Sequence, residues 1–315
     1  DFAPRGDSPW RMSLGSTLVR VVNESPLLDF SDAPVPRLAA HSHTCAVNWN
    51  ESAFCWGGNN MRQASSSEFD EWSPVLVWDN VSSVAVGREH SCAVISAAAV
   101  CWGSNTAAQL GVVSAASVIP ASDARTVDLD VGVWSIVAGV VHTCALLVNG
   151  RAFCFGGNDR GQLGIGEFGS RPGSSQLASA EVVRLVSSGV IVELSAGDYH
   201  TCARLDGGGC QCWGANDSGQ AGVGHNRDIA LAPEDIGEGV ALAAFDGVAS
   251  SVVASGSQSC VVTTAFQLWC WGTGPAGIAN QSRPVLIQVD RDVRSIACGA
   301  LHCCVVVLYG PILCR

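Results

Sequence analysis

Short apolar runs, each broken by glycine or by a polar turn, recur along the whole chain. Runs such as Val84–Gly87 and Leu194–Gly197 read as strands that end at glycine. A second run follows in which polar and apolar positions alternate, as in His142-Thr143-Cys144-Ala145-Leu146, and this period of two predicts another strand. Turn residues such as Asn149-Gly150 or Asp206-Gly207 then reverse the chain into a third run that ends Cys-Trp-Gly. Val-rich segments that contain proline, Ser73–Val77 and Arg283–Val289, supply a fourth. Four short strands in succession make one antiparallel sheet.

The pattern repeats. His43-Thr-Cys45 with Cys55-Trp56-Gly57 is followed by His90-Ser-Cys92 with Cys101-Trp102-Gly103, then by His142-Thr-Cys144 with Cys154-Phe155-Gly156. Three more copies are His200-Thr-Cys202 with Cys212-Trp213-Gly214, Gln258-Ser-Cys260 with Cys270-Trp271-Gly272, and His302-Cys-Cys304 with Cys314. The first cysteines fall 47, 52, 58, 58 and 44 residues apart, so the unit is fairly constant and its length varies in loops. One such sheet cannot bury both faces alone, so the units must stack. The sequence thus predicts an all-β β-propeller of six four-stranded blades, with seven as the alternative count. Blade cores are expected near residues 38–57, 84–103, 136–156, 194–214, 252–272 and 296–314, in a single domain over 16–315 after an N-terminal extension at 1–15.

The last copy stops one strand short, and Ser16–Val22 matches the fourth-strand segment Ala180–Val186. An N-terminal strand that completes the last blade would join the ends and remove open sheet edges, so closure by that strand is expected. The apolar stretches Val131–Val148 and Leu301–Leu313 are interrupted by His142 and by His302, Tyr309 and Pro311. They fit the repeat better than a membrane span.

Composition narrows function. The chain has 315 residues, of which 14% are charged, and a formal net charge of -11. All 17 basic residues are Arg. That balance gives no basic surface to neutralise phosphates and excludes nucleic acid as a partner. Without lysine no phosphate loop of the Gly-Lys-Ser/Thr type can exist. The histidines at 43, 90, 142, 200 and 302 recur in every blade but one, which suits a structural hydrogen bond and not a single catalytic centre. Asp159 and Asp217 sit in Asn-Asp-x-Gly turns, and Trp56, Trp102, Trp213 and Trp271 read as packing between blades. No catalytic residue, cofactor or metal is expected.

The 15 cysteines form a framework. Members of each repeat pair lie on consecutive strands of a hairpin, where facing positions bring Cβ atoms to ~4.5–5.5 Å. This predicts disulfides Cys45/Cys55, Cys92/Cys101, Cys144/Cys154, Cys202/Cys212, Cys260/Cys270 and Cys304/Cys314. Zinc held by His-x-Cys plus Cys is the rival reading, but Gln258 replaces the histidine while both cysteines of that blade remain. Cys298 and Cys303 flank a turn and are candidates for a further pair; Cys210 is either an intermolecular thiol or an inert buried one. Disulfides in this number imply an oxidising, extracellular or cell-surface location. The sequons at Asn23, Asn50, Asn80 and Asn280 are candidate N-glycosylation sites; that at Asn216 belongs to the repeat's own turn. Arg5-Gly6-Asp7 has the form of an adhesion tripeptide but carries little information.

Gly139 with His142-Thr143-Cys144-Ala145-Leu146, then Phe155-Gly156-Gly157-Asn158, then Gly161-Gln162-Leu163-Gly164 resembles the unit of the regulator of chromosome condensation repeat family. Trp213-Gly-Ala-Asn216 with Gly219-Gln220-Ala-Gly222 is a second match. The resemblance covers roughly residues 35–315. It implies a propeller, usually of seven blades. The paired cysteines make the chain more similar to extracellular members, such as Crinkly-type receptor kinase ectodomains, than to the nuclear exchange factor. The expected role is a non-enzymatic extracellular interaction or structural module, part of a filament, coat or appendage. Alternatives are a receptor ectodomain that binds a protein or peptide, and a secreted protein inhibitor. Protein partners or self-association through rim loops are expected, with no direct membrane insertion. The long connections Gly164–Ala180 and Gly222–Val240 are the candidate binding loops.

Overall fold

The β-branched and aromatic residues that dominate these runs suit a pleated backbone, and in the computed structural model they form strands. The structure describes residues 12–15, 18–21, 38–169, 181–183, 190–231, 245–276, 278–299 and 302–314. Six antiparallel sheets, here called blades one to six, follow each other along the chain, after a two-stranded hairpin near the N-terminus.

Blade one holds Leu38–Ala40, His43–Val47, Ala53–Gly57 and Glu71–Trp78; blade three holds Val133–Ala138, His142–Leu147, Ala152–Gly156 and Glu181–Val182. Blade five holds Ala249–Ser255, Ser257–Thr263, Leu268–Gly274 and Ile278–Ile287. These three have the expected four strands. Blade two, built on Val81–Val86, His90–Ile95 and Ala98–Ser104, divides its outer edge between two short pieces, Val118–Ile119 and Arg125–Thr126. Pro120, which has no N–H to donate, and a turn of 3-10 helix at Ala121–Asp123 break the edge between them.

Blades four and six show three strands each among the described residues. Blade four comprises Ile191–Ala196, His200–Leu205 and Cys210–Gly214, and among the described residues the chain returns to its edge only through the Gly214–Ile229 bridge. The segment between is drawn into a loop around Asn216 instead of running along the edge. Blade six comprises Val293–Cys298, Cys303–Val307 and Ile312–Cys314. No fourth strand joins it among the described residues. Leu18–Val21 pairs with Met12–Gly15, with Met12 opposite Val21 and Gly15 opposite Leu18, and closure by the N-terminal strand is not seen among the described residues.

Each second strand faces its third in a fixed register that sets Cys45 opposite Cys55, Cys92 opposite Cys101, and so on through Cys304 opposite Cys314. The side chains on either side of that register alternate between the preceding and the following blade. Buried clusters therefore span neighbours: Cys45, Val47 and Cys55 of blade one pack with Val84, Ala93 and Trp102 of blade two. A bulge recurs in the first strand of blades two to six, at 81/83, 133/135, 191/193, 249/251 and 293/295, where it re-aims the strand beside its neighbour. Among the described residues no helix is long and apolar enough to cross a membrane.

Candidate functional site: the seams between blades

The recurring polar side chains meet where one blade abuts the next. His90 Nε2 lies 2.9 Å from Thr143 Oγ1, His142 Nε2 3.0 Å from Thr201 Oγ1, His200 Nε2 2.9 Å from Ser259 Oγ, and His43 Nε2 2.5 Å from Ser91 Oγ. Each hydroxyl belongs to the following blade and donates its one proton back to a main-chain carbonyl of the preceding one. Ser91 donates to Gln63 O at 2.8 Å, Thr143 to Gln109 O at 2.8 Å, Thr201 to Gln162 O at 3.1 Å and Ser259 to Gln220 O at 2.8 Å. A hydroxyl that spends its proton this way must accept from the imidazole, which assigns the proton to Nε2 and leaves Nδ1 bare. Nδ1 of His90, His142 and His200 is buried without a partner. Burial is the first cause that pushes these imidazoles down, to about 3 at His43, His90 and His142 and to about 4 at His200. They are neutral linkers.

The same carbonyls take a second donor. Trp102 Nε1–H reaches Gln63 O at 2.9 Å, Trp213 reaches Gln162 O at 3.0 Å and Trp271 reaches Gln220 O at 2.8 Å. All three indoles are fully buried. Phe155 stands in that position in blade three and offers no donor, so Gln109 O serves Thr143 alone. Gly222 lies under the Trp271 ring: a Cβ there would sit 2.8 Å from Nε1.

What holds each glutamine carbonyl in place is a loop built from Asn and Gln four residues apart: Asn59/Gln63, Asn105/Gln109, Asn158/Gln162 and Asn216/Gln220. The asparagine side chain acts as a clamp. Asn59 Oδ1 accepts from Ala64 N at 2.8 Å and Ser65 N at 3.1 Å, while its Nδ2 donates to Ser67 O and Phe69 O. Asn216 repeats this with Ala221 N at 2.9 Å, His225 O and Arg227 O, and Asn158 with Leu163 N at 3.1 Å and Glu167 O at 2.9 Å. Each glutamine folds back to accept from the amide two residues before it. Of these, Asn158, Gln162, Asn216 and Gln220 stand in the sequence as parts of the resemblance, and the other four carry no mark of their own. Their i, i+4 recurrence was the available signal.

Across the third seam Arg160 grips Asp228 with two guanidinium nitrogens and reaches Asp217 at 3.2 Å. Hydrogen bonding to Asp228 is the largest cause that raises the Arg160 pKa. Asp217 thus has a cation as its neighbour, one contributed by another blade.

The cysteine pairs are joined as Cys45–Cys55, Cys92–Cys101, Cys144–Cys154, Cys202–Cys212, Cys260–Cys270 and Cys304–Cys314, with Cα atoms 4.0–4.1 Å apart. The sulfurs that a zinc site would need are bonded to each other. Cys298–Cys303 is a seventh bridge, and it links first to second strand where the others link second to third. Cys210 is free, and its sulfur is fully buried; burial raises its thiol pKa. Burial of this kind suits the inert thiol of the two readings more than the intermolecular one.

Asn50, Asn80 and Asn280 are exposed. Asn216 is fully buried, which removes it as a glycan acceptor. Asn23, the tripeptide Arg5-Gly6-Asp7, and residues 170–180 and 232–240 of the two long connections lie outside the described residues.

The fifth seam and the outer faces of blades one and six differ from the rest. Gln258 replaces the histidine, and its Nε2 lies 3.4 Å from Cys303 Sγ and 3.6 Å from Cys298 Sγ. Thr44 and Trp56 of blade one are only half-buried and His302 of blade six is exposed, and no hydrogen bond joins these two blades among the described residues.

Comparison with known proteins agrees with this construction. The sequence models of the regulator of chromosome condensation (RCC1) repeat match residues 135–162 and 191–220, and residues 149–204. The chain is 30% identical over 197 residues to the ultraviolet-B receptor UVR8 of Arabidopsis thaliana, covering 62% of this chain and 42% of that protein. It is 27% identical over 282 residues to the probable E3 ubiquitin-protein ligase HERC6 of Homo sapiens, covering 82% of this chain and 25% of that one. The chain thus spans less than half the length of these curated relatives. Among solved structures, human WBSCR16 superposes with a TM-score of 0.76 at 18% identity, covering 92% of this chain and 77% of its own. The ectodomain of the Arabidopsis thaliana receptor kinase ACR4 superposes at 0.51 and 18% identity, covering 88% and 79%. Fold and repeat matches converge: residues 135–220 match the RCC1 repeat, and the six sheets are similar in fold to solved RCC1-type β-propellers.

Proposed function

We propose that this chain is a non-enzymatic extracellular module that recognises or assembles with other proteins through its rim loops, within a larger cell-surface or extracellular assembly. The observation that supports the reading most is the covalent framework. All six blades carry a bridge between second and third strands, and disulfides in such number persist in oxidising compartments. The repeated polar residues are spent on the seams, which leaves the rim as the place where blades can differ. RCC1-type propellers generally serve as protein-binding modules, and the loops after blades three and four are the longest here.

A receptor ectodomain is the second reading, since the same fold forms the ectodomains of receptor kinases in Physcomitrella patens and Arabidopsis thaliana. Antibody staining of intact, non-permeabilised cells tests the location common to both. Staining without permeabilisation is the expected result, and staining only after permeabilisation overturns it. Shortening the Gly164–Ala180 and Gly222–Val240 connections together should abolish partner binding and leave the melting temperature unchanged; loss of folding would make those loops structural.

A further inference from the structure

The turns between second and third strands lie at one end of the molecule, and each is tied to the chain that enters the next blade. Val81 N donates to Glu51 O, Val133 N to Ala97 O, Ile191 N to Gly150 O, Ala249 N to Gly208 O and Val293 N to Phe266 O. These bonds make a continuous end face, opposite the Asn and Gln loops, where first strands start and second strands finish. Apolar side chains collect on its stretch from blade three to blade five. Val148, Val190, Val248 and Phe266 are 61%, 44%, 48% and 42% exposed. The bulges at 133/135 and 191/193 leave Trp134 and Val192 exposed at the start of their strands. Glycines in the turns place two of the valines. A Cβ at Gly150 would sit 2.1 Å from Val190 Cγ1, and one at Gly208 would sit 2.2 Å from Val248 Cγ1, so each valine lies against the turn of the preceding blade and joins the band across the seam.

Aspartates are interleaved with these side chains. Asp130 precedes Gly132, whose carbonyl accepts from Val148 N, and Asp206 N donates to Val190 O. Asp246 precedes Val248, and Asp292 precedes Val293, which donates to Phe266 O. All four are exposed, as are Asp128 and Asp290 on the same connections. Among the described residues no arginine pairs with any of these six, whereas Glu68, Asp217 and Asp228 at the other end are each held by one. Arg151, inside the band, lies over the Phe153 ring at 5.5 Å, and Arg291 and Arg294 stand at the margin on the side of blade six. An exposed apolar band rimmed by polar groups marks an interaction surface, and its unneutralised carboxylates set the sign of the partner. Anionic lipid, nucleic acid and a second copy of this chain, with its net charge of -11, would all be repelled.

We propose that this band is the docking surface for a basic amphipathic segment of a partner protein. Aliphatic or aromatic side chains of the segment lie on Trp134, the valines and Phe266, and its Lys or Arg side chains reach the aspartates between them. The proposal goes beyond the functional reading above, which uses the long connections that leave the third strands at the other end; either face can bind without the other.

The test titrates the full chain into three labelled peptides of about 18 residues: Leu and Lys on a helical period, the same pattern with Glu for Lys, and the same pattern with Ser for Leu. Fluorescence anisotropy at ~50 mM salt should give a Kd of about 10 μM or tighter for the Leu/Lys peptide, and values at least about tenfold weaker for the other two. The triple variant Asp128→Asn, Asp130→Asn, Asp246→Asn and the double variant Val148→Ser, Val248→Ser should each weaken Leu/Lys binding about tenfold with circular dichroism unchanged, since all five side chains are exposed. Glu68→Gln, Asp123→Asn and Asp159→Asn together change the net charge by the same amount elsewhere on the surface, and should weaken binding less than about twofold. Equal weakening by the two triple variants reduces the effect to net charge and overturns the proposal. Binding of the Glu peptide as tight as that of the Lys peptide, or binding of vesicles that contain phosphatidylserine, overturns it as well.

Discussion

A buried imidazole between two blades does more than fill space. His142 gives its Nε2 proton to Thr201, and burial keeps the ring neutral in the folded state down to about pH 3. In the unfolded chain the same ring takes up a proton below about 6.5. Stability supplied by the neutral ring is therefore complete above pH 6.5 and is lost as pH falls from there towards 3, by about 1.4 kcal/mol per pH unit for each such histidine. His142→Gln, which keeps a side-chain donor as Gln258 does naturally, should flatten that acid limb by one histidine's share and cost little at neutral pH. His142→Ala should cost about 2–4 kcal/mol at neutral pH through the cavity and the lost bond. Urea unfolding of the three proteins at pH 7.5 and at pH 5 measures both effects; equal slopes with pH would show that the ring is not held neutral. The recurrence of these histidines was legible in the sequence, but their partners were not, because each lies on the next blade, 48 to 59 residues away.

At the scale of the element, the strand pattern was the most legible part of the chain. Turn residues and the period of two located the second and third strands of every blade, since both are fixed by local chemistry. Outer strands were harder. Blade two shows why: whether a segment joins an edge depends on Pro120 and on the loop drawn in before it, and no local period reports that. Likeness to Ala180–Val186 marks Ser16–Val22 as an outer strand, and among the described residues Leu18–Val21 pairs with Met12–Gly15. Position 155 offers a test of the seam as an assembled element. Three of the four described aromatic positions in blades two to five donate an indole N–H to a glutamine carbonyl, whereas Phe155 does not, and Gly111 lies against its ring. Phe155→Trp should gain that bond to Gln109 and stabilise the protein by about 0.5–1.5 kcal/mol, read as a higher denaturation midpoint at constant slope. A destabilised variant would mean that blade three cannot accept the larger ring.

For the whole molecule, cross-links and seams divide the work. Each bridge closes a hairpin within one blade and contributes on the order of 2–3 kcal/mol through the unfolded state. None joins two blades, so the stacking order rests on the His, hydroxyl, carbonyl and indole contacts and on the apolar clusters around them. Of the 15 cysteines, 14 are bridged, so alkylation of the unreduced protein under denaturing conditions should modify one residue, Cys210, and the native protein none. Modification of several residues in the unreduced, denatured protein would remove the covalent framework on which the extracellular reading rests. Blade six is stapled on both sides of its middle strand, by Cys298–Cys303 and Cys304–Cys314, at the seam that lacks histidine, hydroxyl and indole alike.

The asparagine clamps carry one more consequence, for the timescale on which the loops open. Amides of Ala64, Leu163 and Ala221 lie outside every strand, yet each donates to the side chain of a buried asparagine. Solvent deuterium can reach them only when the clamp lets go, and each clamp ties its loop together from a buried side chain. Measured by native-state hydrogen exchange, these loop amides should fall in the same slow class as the strands of their blades, and Asn158→Ala should release Leu163 into the fast class while the strand amides of blade three stay protected.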